Sequence, residues 1–368
     1  MTRVLASVAV VLLLAGCTVT LPTPQSPLEP VSTPGIGGLG PVQPVGTPEA
    51  LVSGLKAPWS IVPLESGSTL ISERDTATVK EFTADGELRD VGTVPGVEAG
   101  GEAGLLGLAV LDGEWLYAYF TTASDNRIER FSLEGDAGSY SIGEGEVVLD
   151  GLAKAGNHDG GRIKFGPDGM LYATVGDAGE PDRAQDKSSL NGKILRMTPT
   201  GGVPDDNPFD DSLVYSMGHR NPQGISWDDD GQLWAAEFGQ ETWDEFNRIE
   251  AGGNYGWPII EGRSDNEEFI NPEAQWATVN ASPSGLVYTR GTFFLAALRG
   301  ERLWVIYPHE GRVDPVAYFE GEYGRIRDVV ASPEGNLWFI TNNTDGRGNP
   351  DEGDDKLWEV RLDVLHEG

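Results

Sequence analysis

A short pattern recurs six times along the chain: a glycine, one or two residues, a leucine and, in most copies, an aromatic residue directly after it. Glycine readily adopts the positive φ of a tight turn, and a leucine followed by an aromatic side chain suits a buried strand. Each copy is therefore typical of a hairpin turn that leads into a buried strand. The copies begin at Gly67, Gly113, Gly169, Gly231, Gly300 and Gly335.

The spacing of the copies indicates the architecture. Successive glycines are 46, 56, 62, 69 and 35 residues apart. A four-stranded propeller blade needs roughly 40–50 residues, and longer gaps leave room for loops. Six copies therefore predict an all-β fold, a six-bladed β-propeller, with a pair of β-sandwiches as the alternative. The last strand, KLWEVRL, could pair with the first blade and close the ring, which would protect the exposed sheet edges.

The first 16 residues are typical of an export signal. One arginine precedes an apolar stretch that is too short, and wrongly flanked, for a transmembrane helix. The single cysteine, Cys17, follows Leu-Ala-Gly, and this tetrad resembles the lipobox of bacterial lipoproteins. We therefore expect an exported protein, lipid-anchored at Cys17 on the outer side of the bacterial cytoplasmic membrane or in the cell envelope. An ordinary signal peptide with an incidental cysteine is the alternative.

The residues after the cysteine have the composition of a linker. Residues 18–48 hold eight prolines and no lysine or arginine, which favours an extended, disordered tether. We predict three parts: a lipoprotein signal peptide in residues 1–16, the lipidated cysteine with its linker in residues 17–48, and a propeller catalytic domain in residues 49–365.

The charge of the chain restricts its partners. The formal net charge is −32, so no basic surface could dominate the field, and nucleic acid is excluded as an expected partner. Such acidity chiefly favours solubility. Some of the carboxylates could also hold a hard cation such as calcium, which prefers oxygen ligands.

The ligands of a propeller gather at one end of its central channel, where loops from all blades converge, so polar residues at strand ends are the candidate site. RIKFG and LYATVG predict two strands joined by a PDG turn, with His158 before the first and Asp177 after the second. Antiparallel pairing would bring the two side chains together, and the carboxylate could orient the imidazole as a general base. A purely structural hydrogen bond is the alternative.

Two further segments supply arginines. In GHRNPQG, Pro222 restricts Asn221 to extended geometry, so Arg220 lies on a rigid bend suited to an oxyanion or a polarised carbonyl. In GRIRDV, Arg325 and Arg327 are two residues apart on a strand and share a face, which matches a ligand with several carboxylates. Local aspartates and glutamates could serve these arginines instead.

The segment EFGQETWDEFNRIEAGGNYGWP mixes acids, amides and glycine-permitted backbone carbonyls. These are the oxygen ligands that calcium prefers. A rigid aromatic turn is the structural alternative. The candidate ligands are Asp244, Glu245, Asn247 and Tyr255.

Taken together and in this order, the segments resemble the soluble pyrroloquinoline quinone (PQQ)-dependent glucose/aldose sugar dehydrogenase family, closest to its aldose branch. The resemblance covers roughly Ala50 to Leu362. It rests on GGEAGLLGLA, GNHDGGRIKFGPDGMLYATVGD, AQDKSSLNGKILRM, GHRNPQG, DEFNRIEAGGNYGWP and GRIRDVVASPEG. It implies a six-bladed propeller, PQQ and calcium as cofactors, an aldose sugar as substrate, a lactone as product and an external electron acceptor.

The resemblance also implies a role for each matching residue. His158 would take the proton of the anomeric hydroxyl while a hydride passes to the quinone, Asp177 would orient that histidine, and Arg220 would lie beside the quinone oxygen. Asn221 would belong to the cofactor wall, and Arg325 and Arg327 would bind the cofactor carboxylates. The backbone carbonyls of Gly239 and Gln240 would hold calcium, with Asp244, Glu245 and Tyr255 in its surroundings.

Four positions depart from the glucose enzymes of the family. Glu102 stands in place of a glutamine, Asn157 in place of an aspartate, and Gln240 in place of a common proline. Leu298, beside Arg299, stands where a cofactor-binding lysine is usual. The aldose branch shares the asparagine, so the departures favour that branch and leave Glu102, Asn157 and Arg299 as candidate cofactor neighbours.

Two other functions remain open on the sequence. One is a calcium-dependent propeller lactonase, in which His158 would activate water and the paired arginines would have no role. The other is a propeller that has lost PQQ and binds envelope sugars or proteins without catalysis. Glu102, Gln240 and Leu298 keep this second possibility open.

Overall fold

The computed structural model of the chain describes residues 40–365. The predicted signal peptide, Cys17 and most of the predicted linker lie outside the described residues. Within residues 40–365, no helix has both the length and the apolar character needed to span a bilayer.

The described chain forms 24 strands arranged in six four-stranded antiparallel sheets, as predicted. The strands of blades 1 to 3 are β2 (Pro58–Pro63), β3 (Thr69–Glu73), β4 (Thr78–Phe82) and β5 (Leu88–Thr93); β6 (Leu105–Leu111), β7 (Trp115–Thr121), β8 (Asn126–Glu134) and β9 (Ser141–Leu152); and β10 (Ile163–Phe165), β11 (Leu171–Val175), β12 (Lys193–Met197) and β13 (Val214–Met217). A short 3₁₀ helix, Pro181–Ala184, lies between β11 and β12.

The other three blades follow the same order. Their strands are β14 (Asn221–Trp227), β15 (Leu233–Phe238), β16 (Trp243–Arg248) and β17 (Ala274–Ala277); β18 (Pro283–Thr289), β19 (Thr292–Ala297), β20 (Arg302–His309) and β21 (Arg312–Tyr318); and β22 (Ile326–Ala331), β23 (Leu337–Thr341), β24 (Lys356–Val364) and β1 (Val42–Ser53). The first strand of each blade lines the central channel, and β2 contacts both β6 and β22, so the six blades form a closed ring.

The hydrophobic core is divided among the interfaces between neighbouring blades. In blade 3, Leu171 packs in the cluster shared with blade 2, and the next residue, Tyr172, packs in the cluster shared with blade 4. In blade 4, Leu233 and Trp234 divide in the same way. Successive side chains of a strand point to opposite faces, so the Leu-aromatic pair of the repeat is explained by a strand that is buried on both faces.

The fifth copy of the repeat is out of phase with the others. Gly300 precedes β20, the third strand of blade 5, whereas five copies precede a second strand. The equivalent position in blade 5 is Gly291, at φ +76°, which leads into β19. Any glycine turn before a buried strand produces the same local pattern, so the pattern does not report the strand's place within a blade. This accounts for the unequal predicted spacings of 69 and 35 residues.

The ring closes through β1 and β24, but not in the predicted way. β1, from the start of the domain, pairs antiparallel with β24 and becomes the outer strand of the last blade. β1 begins at Val42, so the first strand of the propeller starts within residues 17–48, the range predicted for the linker. Pro44 and Pro48 lie on this strand, because proline is tolerated on an edge strand that has only one neighbour. A proline-rich composition therefore did not separate the linker from β1.

Candidate active site

A cavity of about 500 Å³ opens at one end of the central channel. Loops and strand ends of all blades except the first reach its wall, which is rich in arginine. Eleven of the residues singled out in the sequence line it: Glu102, Asn157, His158, Arg220, Asn221, Gly239, Gln240, Asp244, Arg299, Arg325 and Arg327. We call this cavity the active-site pocket.

The His158 imidazole is held by Asp177, which is the geometry expected from the hairpin. Nδ1 of His158 lies 2.7 Å from Oδ1 of Asp177. The two residues stand at the ends of the hairpin formed by β10 and β11, where antiparallel pairing brings them together. Asp177 is fully buried, whereas the His158 side chain is 13% exposed, so the histidine is the member of the pair that faces the pocket.

Asp177 is the fixed anion of the pair. Its Oδ1 also accepts the N–H of Gly179 at 2.8 Å, and its Oδ2 accepts the indole N–H of Trp257 at 2.9 Å. Burial by itself would raise the pKa of Asp177, but these hydrogen bonds and that of His158 hold the pKa below its ordinary value. Asp177 is therefore ionised at neutral pH and accepts Nδ1–H, so that in a neutral His158 ring Nε2 carries the free lone pair.

The backbone at His158 is held in an uncommon conformation by a second carboxylate. His158 has φ +59°, a region that few residues other than glycine adopt. Its N–H donates to Oε2 of Glu102 at 2.9 Å, and its carbonyl accepts the N–H of Ala178 at 3.1 Å. The carbonyl also lies so close to Gly176 that a Cβ there would collide with it. The strained turn is therefore fixed from several sides.

Arg220 is rigidly placed in the pocket wall. Its backbone N–H donates to Oε1 of Glu237, and its Nη1 donates to the carbonyl of Gly239 at 2.6 Å. Burial lowers the pKa of Arg220, although Asp177 and Glu237 oppose this effect. Among residues 40–365, Nη2 of Arg220 has no hydrogen-bond partner, so this nitrogen can donate to a ligand.

Arg325 and Arg327 lie in the same wall and are more deeply buried. Arg327 is 3% exposed, and its Nη1 donates to the side chain of Gln223 at 2.9 Å. Burial and the neighbouring charges of Arg325 and Arg74 lower the pKa of Arg327 to about 9. Like charges at close range favour an anionic ligand between them. Nη1 of Arg325 has no partner in the described chain.

Asp345 is the counter-ion of this arginine group, and the sequence reasoning missed it. Its Oδ2 lies 3.3 Å from Arg325, 3.6 Å from Arg347 and 4.0 Å from Arg74. Burial would raise the pKa of Asp345, but these cations hold it below the ordinary value. The pairing of β22 with β23 places residues after Thr341 beside Arg325, so a hairpin prediction over residues 325–345 would have found this carboxylate.

The candidate calcium ligands divide into two groups. Gly239, Gln240 and Asp244 lie in the pocket wall. Asp244 accepts the N–H of Gly239 at 2.9 Å and that of Ser282 at 2.5 Å, and burial raises its pKa to about 6. Its two oxygens therefore anchor backbone groups. The remaining oxygen donors are the carbonyl of Gln240 and that of Gly239, which keeps a second lone pair beside its hydrogen bond from Arg220.

Glu245 and Tyr255 do not belong to the wall of the pocket. Glu245 points to Asn247 and to the N–H of Gly262, and burial raises its pKa. The Tyr255 hydroxyl donates to the carbonyl of Arg248 at 2.6 Å, and its ring stacks on His219. In residues 40–365 there is no group of three or more His, Cys, Asp or Glu side chains placed to hold a metal ion.

Several further wall residues were not predicted as site residues. Gln223 and Phe238 lie inside the GHRNPQG and EFGQETWDEFNRIEAGGNYGWP segments, but nothing in those segments indicated which of their side chains face the pocket. Thr278, Ser282 and Arg347 lie in stretches from which no site was predicted, and only the closed ring brings them to the pocket. The full set of these further wall residues is Gln223, Phe238, Thr278, Ser282, Leu298 and Arg347, of which only Leu298 had been noted, as a departure.

The fold is a six-bladed propeller with a polar pocket at one end of its channel, and the comparisons with known proteins show an oxidoreductase of the sugar dehydrogenase class. The model of the Glucose / Sorbosone dehydrogenase family matches residues 55–349. The chain belongs to this family.

Known relatives agree with this assignment. The aldose sugar dehydrogenase YliI of Escherichia coli is 27% identical over 81% of this chain and 90% of its own length. Quinoprotein glucose dehydrogenase B of Acinetobacter calcoaceticus is 25% identical over 83% of this chain and 87% of its own. The PQQ-bound aldose sugar dehydrogenase of Streptomyces coelicolor superposes with a TM-score of 0.83 at 47% identity, covering 88% of this chain and 98% of that one.

Proposed function

We propose that this chain oxidises aldose sugars at C1 to lactones, with PQQ and calcium as cofactors, and passes the electrons to an external acceptor. The observation that carries the proposal is the shared pocket: His158, with Nδ1 held by Asp177, faces the same cavity as Arg220, Arg325 and Arg327. The similarity to the PQQ-bound enzyme of Streptomyces coelicolor supports the choice of cofactor.

The side chains of the pocket fit a quinone that carries several carboxylates. Nη2 of Arg220 and Nη1 of Arg325 are free of partners within residues 40–365, and Arg327 is crowded by like charge. A polycarboxylate would supply the missing acceptors and offset the charge. We assign Arg325 and Arg327 to the cofactor carboxylates and Arg220 to the quinone oxygen. Asn157, Asn221 and Arg299 complete the proposed cofactor wall.

Calcium would be held by neutral oxygens of the same wall. The carbonyls of Gly239 and Gln240 are the proposed protein ligands, with Asp244 fixing the backbone beside them. Because the protein offers few anionic donors there, oxygens of the cofactor and water would complete the coordination that calcium requires. When bound, PQQ supplies the two-electron acceptor and calcium the Lewis acid that polarises it.

His158 is the proposed general base. Ionised Asp177 fixes the tautomer that carries hydrogen on Nδ1, so the lone pair of Nε2 can accept the proton of the C1 hydroxyl. Oε2 of Glu102 is used by the N–H of His158, while its Oε1 has no partner within residues 40–365 and can accept a sugar hydroxyl. Arg220 places a fixed positive charge where negative charge develops.

We also propose the cellular placement predicted from the N-terminal sequence. Residues 1–16 would direct export, lipid on Cys17 would anchor the protein to the membrane, and the linker would end where β1 begins at Val42. A Cys17→Ser variant should move from the membrane fraction to the soluble fraction of the exported protein. An unchanged membrane fraction would contradict the anchor.

One experiment separates the proposed function from its alternatives. The purified protein is depleted of cofactor, supplied with PQQ and calcium chloride, and assayed for dye reduction with a panel of aldoses. Sugar-dependent dye reduction that requires both additions is the expected result. Lactone hydrolysis without PQQ would favour the hydrolase, and saturable sugar or protein binding without turnover would favour the binding module.

A second experiment compares a variant of a pocket arginine with a variant of an arginine outside the pocket. Arg325→Ala should raise the PQQ concentration needed for half-maximal activity. Arg312→Ala should not, since Arg312 is exposed and pairs with Asp314 on β21. Equal behaviour of the two variants would contradict the assignment of Arg325.

A further inference from the structure

The central channel has a second cavity at the end opposite the active-site pocket. β14 runs from Asn221, in the wall of the active-site pocket, to Trp227, in the wall of this second cavity of about 330 Å³. In the same way, β22 has Arg327 in the wall of the active-site pocket and Val330 in the wall of the second cavity. We call it the distal cavity.

The middle of the channel is filled, so the two cavities are separate sites. Trp59 is 1% exposed. The centroid of its ring lies 4.3 Å from the guanidinium carbon of Arg162 and 5.7 Å from that of Arg327. Arg162 in turn pairs with Asp328 at 2.8 Å. A ligand in the distal cavity would therefore not share the wall proposed for the cofactor.

The wall of the distal cavity combines apolar surface with two cations. Apolar side chains form most of it, as in many small-molecule sites, where a few polar groups fix the orientation of an apolar ligand. Arg162 and Lys164 supply the charge. The apolar part includes Ile61, Val62, Leu108, Val110, Phe165 and Trp227.

Lys164 has unused hydrogen-bonding capacity. Its ammonium donates to the carbonyl of Leu286 at 2.9 Å, and an ammonium carries three hydrogens. No other acceptor for Lys164 exists in the described part of the chain. Burial lowers its pKa to about 8, so the group is still mainly protonated at neutral pH. A charged donor thus borders the cavity with most of its hydrogens free.

The charges around the distal cavity do not balance. Arg162 and Lys164 are two cations with one neighbouring carboxylate, Asp328. Oδ2 of Asp328 is already used by Nη1 of Arg162 and by the N–H of Ile61 at 2.9 Å. Nη2 of Arg162 is buried without a partner in residues 40–365. Asp328 is thus the counter-ion of buried Arg162, and the charge of half-buried Lys164 is left without a carboxylate and can meet an anion.

We propose that the distal cavity binds a small monocarboxylate with an aliphatic or aromatic body. Lys164 binds the carboxylate, Arg162 adds positive charge behind it, and the apolar wall covers the body. This site is independent of the proposed sugar oxidation, because it needs neither PQQ nor calcium.

The test measures binding of 4-(trifluoromethyl)benzoate to the full chain by fluorine NMR. Saturable binding is expected, and the neutral 4-(trifluoromethyl)benzamide should bind more weakly. Lys164→Met should weaken benzoate binding at least about tenfold, by loss of a charged hydrogen bond. Lys187→Met, a change at an exposed lysine, should leave it unchanged.

Two further measurements locate the bound benzoate within the channel. Ala109→Leu adds bulk to the wall of the distal cavity while keeping both cations, and it should also weaken binding. An excess of PQQ should not displace the benzoate. The proposal would be overturned by absence of saturable binding, by displacement with PQQ, by equal affinity for the amide, or by folded Lys164→Met and Ala109→Leu proteins that bind as the wild type does.

Discussion

The His158 side chain depends on two carboxylates that act on different atoms. Asp177 holds the ring through Nδ1, and Glu102 holds the backbone N–H of a residue at φ +59°. A second histidine, His219, has a similar carboxylate partner in Glu237, but it is fully buried and also contacts Ser216. Exposure to the pocket therefore distinguishes the proposed base from a structural histidine.

His158→Ala should lower sugar turnover by roughly 10²- to 10⁴-fold, the usual contribution of a positioned base. PQQ binding should persist, because the arginines are untouched. His309→Ala is the control, since His309 is exposed on β20. Turnover is followed by dye reduction and PQQ uptake by absorbance; wild-type turnover in His158→Ala would refute the assignment.

Asp345→Asn should destabilise the fold at neutral pH by about 3 kcal/mol, because it leaves the buried Arg325 without its counter-ion. The folded pKa of Asp345 is depressed, so its stabilisation is present above the unfolded value near 4 and is lost as the pH falls through the folded value. The difference in unfolding free energy between wild type and variant should therefore shrink on acidification.

Urea denaturation at a series of pH values measures this difference. Asp314→Asn, which changes a half-exposed surface carboxylate, should show a much smaller difference at neutral pH. If the difference in unfolding free energy between wild type and Asp345→Asn stayed constant down to acid pH, ionisation of Asp345 would not stabilise the protein.

At the scale of elements, the pairing of β1 with β24 holds the ring closed. β1 supplies the fourth strand of blade 6, and Val42 is fully buried in the cluster between blades 5 and 6. Its N–H donates to Oγ1 of Thr292 on β19 at 2.9 Å. One strand thus joins two blades through both backbone and side-chain contacts.

Val42→Ala should lower the free energy of unfolding by about 1–3 kcal/mol, since it removes buried methyl groups and leaves a cavity. Glu49→Ala, at an exposed position of the same strand, should have little effect. The denaturation midpoint of each variant reports the change. A negligible effect at Val42 would mean that β1 is not needed to close the ring.

At the scale of the whole molecule, the charge is the dominant feature. A formal net charge of −32 creates repulsion among surface carboxylates in the compact state. The main local exception is the arginine-rich wall of the active-site pocket. An anionic ligand would therefore be guided by this wall, and by Arg162 and Lys164 at the distal cavity, while the acidic remainder of the surface repels it.

The melting temperature should rise when sodium chloride is increased from low to physiological concentration, because salt screens the repulsion. The rise should be smaller at about pH 4.5, where many carboxylates are protonated. Calorimetry at matched ionic strength measures both effects. A melting temperature that is insensitive to salt at neutral pH would show that the charge does not limit stability.

Local sequence was sufficient for the repeat, the fold class and the His158–Asp177 couple. A glycine turn followed by a doubly buried strand, and a hairpin whose ends must meet, involve residues within about 20 positions of each other. Their geometry follows from backbone periodicity and turn chemistry alone. Because the pattern is local, it marks a buried strand without giving the place of that strand in the blade. This is why the copy at Gly300 precedes the third strand of blade 5 and not the second.

The pocket wall, the Asp345 counter-ion and the ring closure were decided only by tertiary structure. Arg220, Arg325 and Glu102 lie on different blades and meet because six blades close around one channel. Val42 joins the last blade although its surroundings have the composition of a linker. Contacts between residues far apart along the chain depend on the closed ring, whose geometry no local stretch of chain contains.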